Sequence, residues 1–191
     1  MPAQPENRKI TWTCEMTDPG QLRAKYANLD GLEVKRVEIP SPAFSWFLHQ
    51  AVGVDYRWGG REDWGEREWT EHVQQPAMQT WVAYVSGAPA GYYEFEKQED
   101  ESVMIYCFGL LPAFIGRGLG AHLLTTAVEN AWACQPTRVW LKTCSHDHPH
   151  AKKNYQARGF WIVNEEENEP TMPRASLLFG KPHIEPNVRH E

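Results

Sequence analysis

Gly116, Arg117, Gly118, Leu119, Gly120 and Ala121 stand between an apolar extended run, residues 103–111, and an amphipathic stretch, residues 122–133. A glycine turn joining a strand to a helix makes a phosphate cradle. Glycine puts no side chain between an anion and the backbone, and the first N–H groups of the helix point at whatever fills the loop. The competing explanation is that the glycines only let the helix pack closely on the sheet. No Lys-Ser or Lys-Thr follows them, as a nucleoside triphosphate loop requires, and Leu123 breaks a G-x-G-x-x-G pattern begun at Gly118. A looser dinucleotide register through Gly116, Gly118 and Ala121 lacks the acidic residue expected about 20 positions on.

Three further groups of residues carry chemistry. Cys144, His146, His148 and His150 are of zinc-ligand type. Alternate residues of one short loop surround an ion poorly, however, and no C-x-x-C or H-x-x-x-H pair accompanies them, so no metal is expected. Tyr56, Arg57, Trp58 and Arg61 form an aromatic and guanidinium cluster suited to a planar or carboxylate-bearing ligand. Trp46, Trp58, Trp64 and Trp69 equally suit a core beneath helices. Glu94 and Glu96 share a strand face with Tyr92, either as a base directed into a cleft or as a solvated hairpin face.

The elements that position these groups follow from periodicity and turn signals. Strands are expected over residues 9–16, 33–39, 78–85, 91–97, 102–111, 138–143, 160–164 and 175–179. Ser41 and Pro42 start a helix carrying Phe44, Phe47, Leu48, Ala51 and Val52, and residues 62–74 resume a helical pattern. The helix after the glycines buries Leu123, Leu124, Ala127, Val128 and Ala131. Asp147 or His148 caps a last helix that begins at Pro149 and ends at Gly159. Residues 165–173, acidic and proline-bearing, read as a mobile connection.

With 191 residues, 19 Lys plus Arg against 25 Asp plus Glu, and a net charge of −6, the chain fits one domain. No basic cluster interleaved with aromatics is present, so a nucleic-acid partner is not expected. No apolar run approaches the ~20 residues of a membrane span, and residues 1–8 do not read as a signal peptide, so no membrane partner and a cytoplasmic location are expected. Cys14, Cys107, Cys134 and Cys144 are scattered singly, as reduced and partly buried thiols are.

Two motifs in chain order resemble the GNAT superfamily of N-acetyltransferases. Gly118 and Gly120 fall on the two glycine positions of its Q/R-x-x-G-x-G/A coenzyme A loop, with Ile115 in the slot for Gln or Arg and Arg117 as a nearby charge. Ala151, Tyr155, Gly159 and Phe160 fall in register with its later N-x-x-A-x-x-x-Y-x-x-x-G-F motif, where His148 replaces the Asn. The resemblance covers most of residues 33–180. It implies an α/β fold whose mixed, mostly antiparallel sheet of six to seven strands is flanked by about four helices. The domain spans residues 9–181, between flexible ends at 1–8 and 182–191. Residues 9–31 are extra, as an added edge strand or a dimer element, which leaves a homodimer open.

The activity implied is transfer of an acetyl group from acetyl-CoA to a primary amine of a small molecule or peptide, with no metal. Tyr155 is then the general acid, because a phenol near pKa ~10 can protonate a departing thiolate near ~8.5. Residues 116–121, His148 and Ala151 hold the coenzyme. The backbones of Leu110 and Leu111 polarise the thioester where two strands splay. Lys152 and Lys153 lie near the adenosine phosphates. Tyr56, Arg57, Trp58, Arg61 and Tyr106 line the acceptor pocket, and Glu94, Glu96, Tyr106 and His146 are candidates to take the amine proton. A non-catalytic acyl-CoA-binding module on the same fold is the alternative.

Overall fold

The computed structural model describes residues 9–56 and 58–168. Arg57 and the expected strand at 175–179 lie outside the described residues, as do both termini. Seven strands form one sheet in the order β2-β3-β4-β5-β6-β1-β7. They are β1 Lys9–Met16, β2 Leu32–Arg36, β3 Met78–Val85, β4 Ala88–Lys97, β5 Val103–Leu110, β6 Val139–Cys144 and β7 Trp161–Asn168. The helices are α1 Pro42–Gly53, α2 Glu66–Val73, α3 Leu119–Trp132 and α4 Ala151–Ala157.

The helices cover both sheet faces, so β4 is buried on each side. Tyr92 joins Leu48 and Val52 of α1 in one core, while Tyr93 and Phe95 join Leu123, Leu124, Ala127 and Val128 of α3 in the other. That two-sided burial explains why 92–95 read as an almost continuous aromatic run rather than an alternation. Ser41 starts α1 as expected, its hydroxyl accepting the Phe44 N–H at 3.3 Å.

Three expectations are corrected. β1 is not an edge strand: it lies between β6 and β7, pairing Thr11 with Cys144 and Lys9 with Asn168. Trp12, Cys14 and Met16 alternate into the core from this strand. Residues 165–168 are not a mobile connection but the second half of β7, where the Trp12 indole N–H donates to Glu165 at 2.7 Å. Helix α4 starts at Ala151 rather than Pro149, because the Asp147 carboxylate is drawn back to the Thr143 hydroxyl at 2.6 Å and the Cys144 N–H at 2.9 Å.

Gly159 ends α4 with φ +106, and a Cβ there would stand 2.0 Å from the Gln21 carbonyl oxygen. The segment following β1 is thereby pinned against the end of α4, where the Arg23 N–H also donates to the Arg158 carbonyl at 2.9 Å. Gly159→Ala should cost at least about 2 kcal/mol in urea unfolding, from backbone strain plus collision. Gly87→Ala, at φ +84 with open space around it, should cost only about 1 kcal/mol from the strain alone.

Candidate active site

β5 and β6 run parallel and pair only from Val103 to Ile105 with Val139 to Leu141. Beyond that point they part. β5 stays attached to β4 as far as Leu110, and β6 stays attached to β1 as far as Cys144. A register shift between Glu94 and Phe95 leaves Tyr106 as the extra, bulged residue of β5 at the point of divergence. The gap opens into a cleft of about 770 Å³.

The glycine loop forms one wall. Gly116 (φ +83) and Gly118 (φ +77) occupy left-handed conformations, and a Cβ on either would meet nothing within 4 Å. Close packing therefore does not explain them. Gly118 is the N-cap of α3 and offers no side-chain cap, so the first N–H groups of the helix face the cleft without a side-chain acceptor from the cap. Gly120, Ala121 and Ile115 line the same wall. A Cβ on Gly120 would touch Asn154 and Leu110 only at ordinary contact distance, so its absence leaves room rather than relieving a clash. Arg117 and Leu119 do not line the cleft: Arg117 lies over the Phe114 ring at 5.5 Å, and Leu119 is buried in the core.

Tyr155 is buried at the parting of the strands, edge-on to Phe108 at 5.8 Å and Phe160 at 6.2 Å. Burial, assisted by the Asp147 charge, pushes its phenol well above the usual tyrosine range, so it keeps its proton. His148 and Ala151 line the cleft beside it. Leu111 does not serve as expected, because its N–H donates to the Ala90 carbonyl at 2.9 Å. Successive N–H groups leave a strand on opposite sides, so that of Leu110 faces the gap vacated by β6.

Tyr56, Trp58, Arg61 and Tyr106 reach the cleft from the other side, and Tyr56 meets His148 edge-on at 5.8 Å. Trp58 is also a wall of the core, against Tyr92 at 6.2 Å and His49 at 5.6 Å. Arg61 is not a free clamp. Its side chain is 8% exposed, is stacked over Trp64 and Trp69, and donates to Glu94 at 2.9 Å.

Glu94 is fully buried and does not line the cleft, which corrects its assignment as a base. Its carboxylate also accepts from the Ser45 hydroxyl at 2.6 Å and the His72 Nε2 at 3.1 Å. Burial alone would raise its pKa, but the His72 bond and the Arg61 charge outweigh burial and hold it at about 2. Glu96 is half-buried and outside the cleft lining, accepts from the Gln98 amide at 2.9 Å, and adds its charge to Tyr106. Lys152 is directed away from any coenzyme role, its ammonium lying 3.5 Å from the Trp12 ring centroid. Cys107 faces the cleft as a thiol pushed up to about 12 by burial and Glu94, which excludes a resting thiolate. Among the described residues no group of side chains is arranged to hold a metal ion.

Several cleft residues escaped the sequence reading. His49 lies on the buried stripe of α1 with Ser45 and Val52, so a polar residue at core spacing was the available signal. Asn154 donates to the Gly120 carbonyl at 3.0 Å and ties α4 to the first turn of α3. Lys9 and Thr11 enter because β1 is internal, and Lys25 enters because its N–H donates to the Thr125 hydroxyl of α3 at 3.0 Å. No local pattern marks Lys25.

A family model described as the acetyltransferase (GNAT) family matches residues 44–160, more than half of the chain. The chain belongs to that family. Solved structures with the GNAT fold include a GCN5-related N-acetyltransferase from Kribbella flavida, at 17% identity and TM-score 0.58, over 82% of this chain and 56% of that one. A tandem GNAT protein from the clavulanic acid biosynthesis pathway matches at 15% identity and TM-score 0.56, over 88% and 55%. An aminoglycoside acetyltransferase from an uncultured soil metagenomic sample, in complex with sisomicin, matches at 12% identity and TM-score 0.56, over 68% and 88%. This GNAT chain spans between 50% and 63% of the length of the first four structures it matches. Comparison with curated protein sequences finds no match.

Removing the Glu94 charge should leave Arg61 buried and unpaired, so Glu94→Gln should destabilise the fold by about 3 kcal/mol. The pH dependence has two limbs. Burial and Arg61 lower His49 from 6.5 to about 4, so stability falls as pH drops from 6.5 towards 4. Glu94, lowered from 4.5 to about 2, withdraws its contribution from pH 4.5 downward. Denaturant titrations across pH 3 to 7 should show the lower limb vanish in Glu94→Gln.

Proposed function

We propose that the protein is an acetyl-CoA-dependent N-acetyltransferase that moves an acetyl group directly to a primary amine within a ternary complex. The observation that carries this reading is the single cleft joining the glycine-loop backbone, the Leu110 N–H and the buried Tyr155 phenol. The first N–H groups of α3 and the side chain of Lys25 suit the coenzyme pyrophosphate, and Lys25 supplies the charge that Ile115 lacks. The gap between β5 and β6 suits an extended pantetheine arm, which Phe108, Thr143 and Cys144 line.

The coenzyme supplies a thioester whose carbon the amine attacks. Leu110 donates its N–H to the carbonyl oxygen as negative charge develops there. Tyr155 gives its proton to the departing sulfur; its raised pKa keeps the phenol protonated, so the proton is in place when the C–S bond breaks. Of the two carboxylates weighed for the amine proton, Glu94 is held by Arg61, whereas Glu96 has no ion pair among the described residues and neighbours Tyr106 at the edge of the cleft, so proton removal falls to Glu96 through water.

Calorimetry should find micromolar binding of acetyl-CoA and none of NAD; absence of acetyl-CoA binding would overturn the reading. Tyr155→Phe should lower turnover by about 10²-fold or more with acetyl-CoA affinity nearly unchanged, the usual worth of general acid catalysis. Binding of acetyl-CoA without release of CoA to any amine would favour a non-catalytic acyl-CoA-binding module.

A further inference from the structure

Resting on the acetyltransferase reading, we infer that the acceptor is a small monoamine carried on a flat apolar skeleton rather than a polycation. The wall of the cleft facing the glycine loop is aromatic: Tyr56, Trp58 and Tyr106, with His49 and Val52 beside them. Trp58 is fixed before any ligand arrives. A Cβ on Gly53 would stand 2.8 Å from it, and one on Gly109 would stand 2.3 Å from the Val52 methyl and 3.5 Å from the Trp58 ring. Those two glycines let the indole pack closely against α1 and β5, so this planar ring is held in place at small entropic cost to a ligand.

Charge decides between acceptor classes. Among the described residues lining the cleft, Asp147 is the one carboxylate, and its Oδ2 already accepts from Thr143 and the Cys144 N–H. The lining cations are Lys9, Lys25, Lys142 and Arg61. Arg61 is neutralised by Glu94 beneath it, and burial keeps the His49 imidazole neutral. The aromatic end is therefore close to electrically neutral, with Glu96 as the nearby carboxylate at Tyr106. One carboxylate matches one ammonium. A second or third ammonium group would meet only Asp147, already bonded to Thr143 and the Cys144 N–H and outnumbered by Lys9 and Lys142, losing hydration for little gain.

The test uses the full chain, saturated with acetyl-CoA, and three acceptors: 2-phenylethylamine, spermidine and sisomicin. Release of CoA should give phenylethylamine a kcat/KM at least about 100-fold above either polycation, a ratio that pocket complementarity can reach. Tyr106→Ala should lower the phenylethylamine kcat/KM by about tenfold, the loss expected on removing one aromatic contact. Equal or better use of spermidine or sisomicin would overturn the inference, as would failure of phenylethylamine to bind protein that does bind acetyl-CoA. The coenzyme titration reads the underlying acetyltransferase proposal separately. Calorimetric binding of phenylethylamine in preference to both polycations would support the acceptor class even in a chain that released no CoA.

Discussion

Two parallel strands stop pairing after three residues, and the cleft exists because each has another strand to satisfy it. β5 continues along β4 to Leu110 while β6 continues along β1 to Cys144, so half the backbone groups of each stay bonded on the outer edge. The inner edges are left with N–H and C=O groups whose burial without partners would be costly. A cleft open to solvent and to a ligand resolves that conflict. The bulge at Tyr106 bends β5 at the point of parting, and Phe108 and Tyr155 pack where a continuous ladder would have left no room. The position of β1 inside the sheet matters for the same reason, since without it β6 would lack the partner that holds it away from β5.

The far wall depends on a buried charge. Glu94 is anchored by four side chains, those of Ser45, Arg61, His72 and Thr80, which belong to α1, the connection after it, α2 and β3. Arg61 is sandwiched over two indoles as it reaches inward. An ion pair at this depth adds little net stability compared with apolar packing, but breaking it strands a charge. Its effect is to fix the irregular chain between α1 and α2, which carries Tyr56 and Trp58 into the cleft. The aromatic cluster and the strand carboxylate, which the sequence presents as separate features, are one assembly.

What was legible in the sequence was whatever is local. The glycine turn, the Ser41 cap, the stripe of α3 and the Gly159 stop each follow from a few adjacent residues, and Met78–Val85 emerged with both ends in place. The place of β1 was not legible, because alternation reveals that a strand exists but not which edges it joins. Glu94 misled for a related reason: the burial of both faces of β4 depends on helices distant in sequence, so a carboxylate at strand spacing looked solvated or catalytic. Lys25 and Asn154 reach the cleft through hydrogen bonds to Thr125 and Gly120 of α3, contacts over 100 and 34 residues that no periodicity encodes.

The parting of β5 and β6 and the uncapped start of α3 leave backbone N–H groups directed into the cleft. Amide hydrogen exchange followed residue by residue, with and without acetyl-CoA, reads those groups directly. Slowed exchange at Leu110 and across residues 119–121 on adding acetyl-CoA, with Val103 to Ile105 unchanged, is the predicted result. Acetyl-CoA binding that left Leu110 and residues 119–121 exchanging at their free rates would place the coenzyme elsewhere and contradict the account.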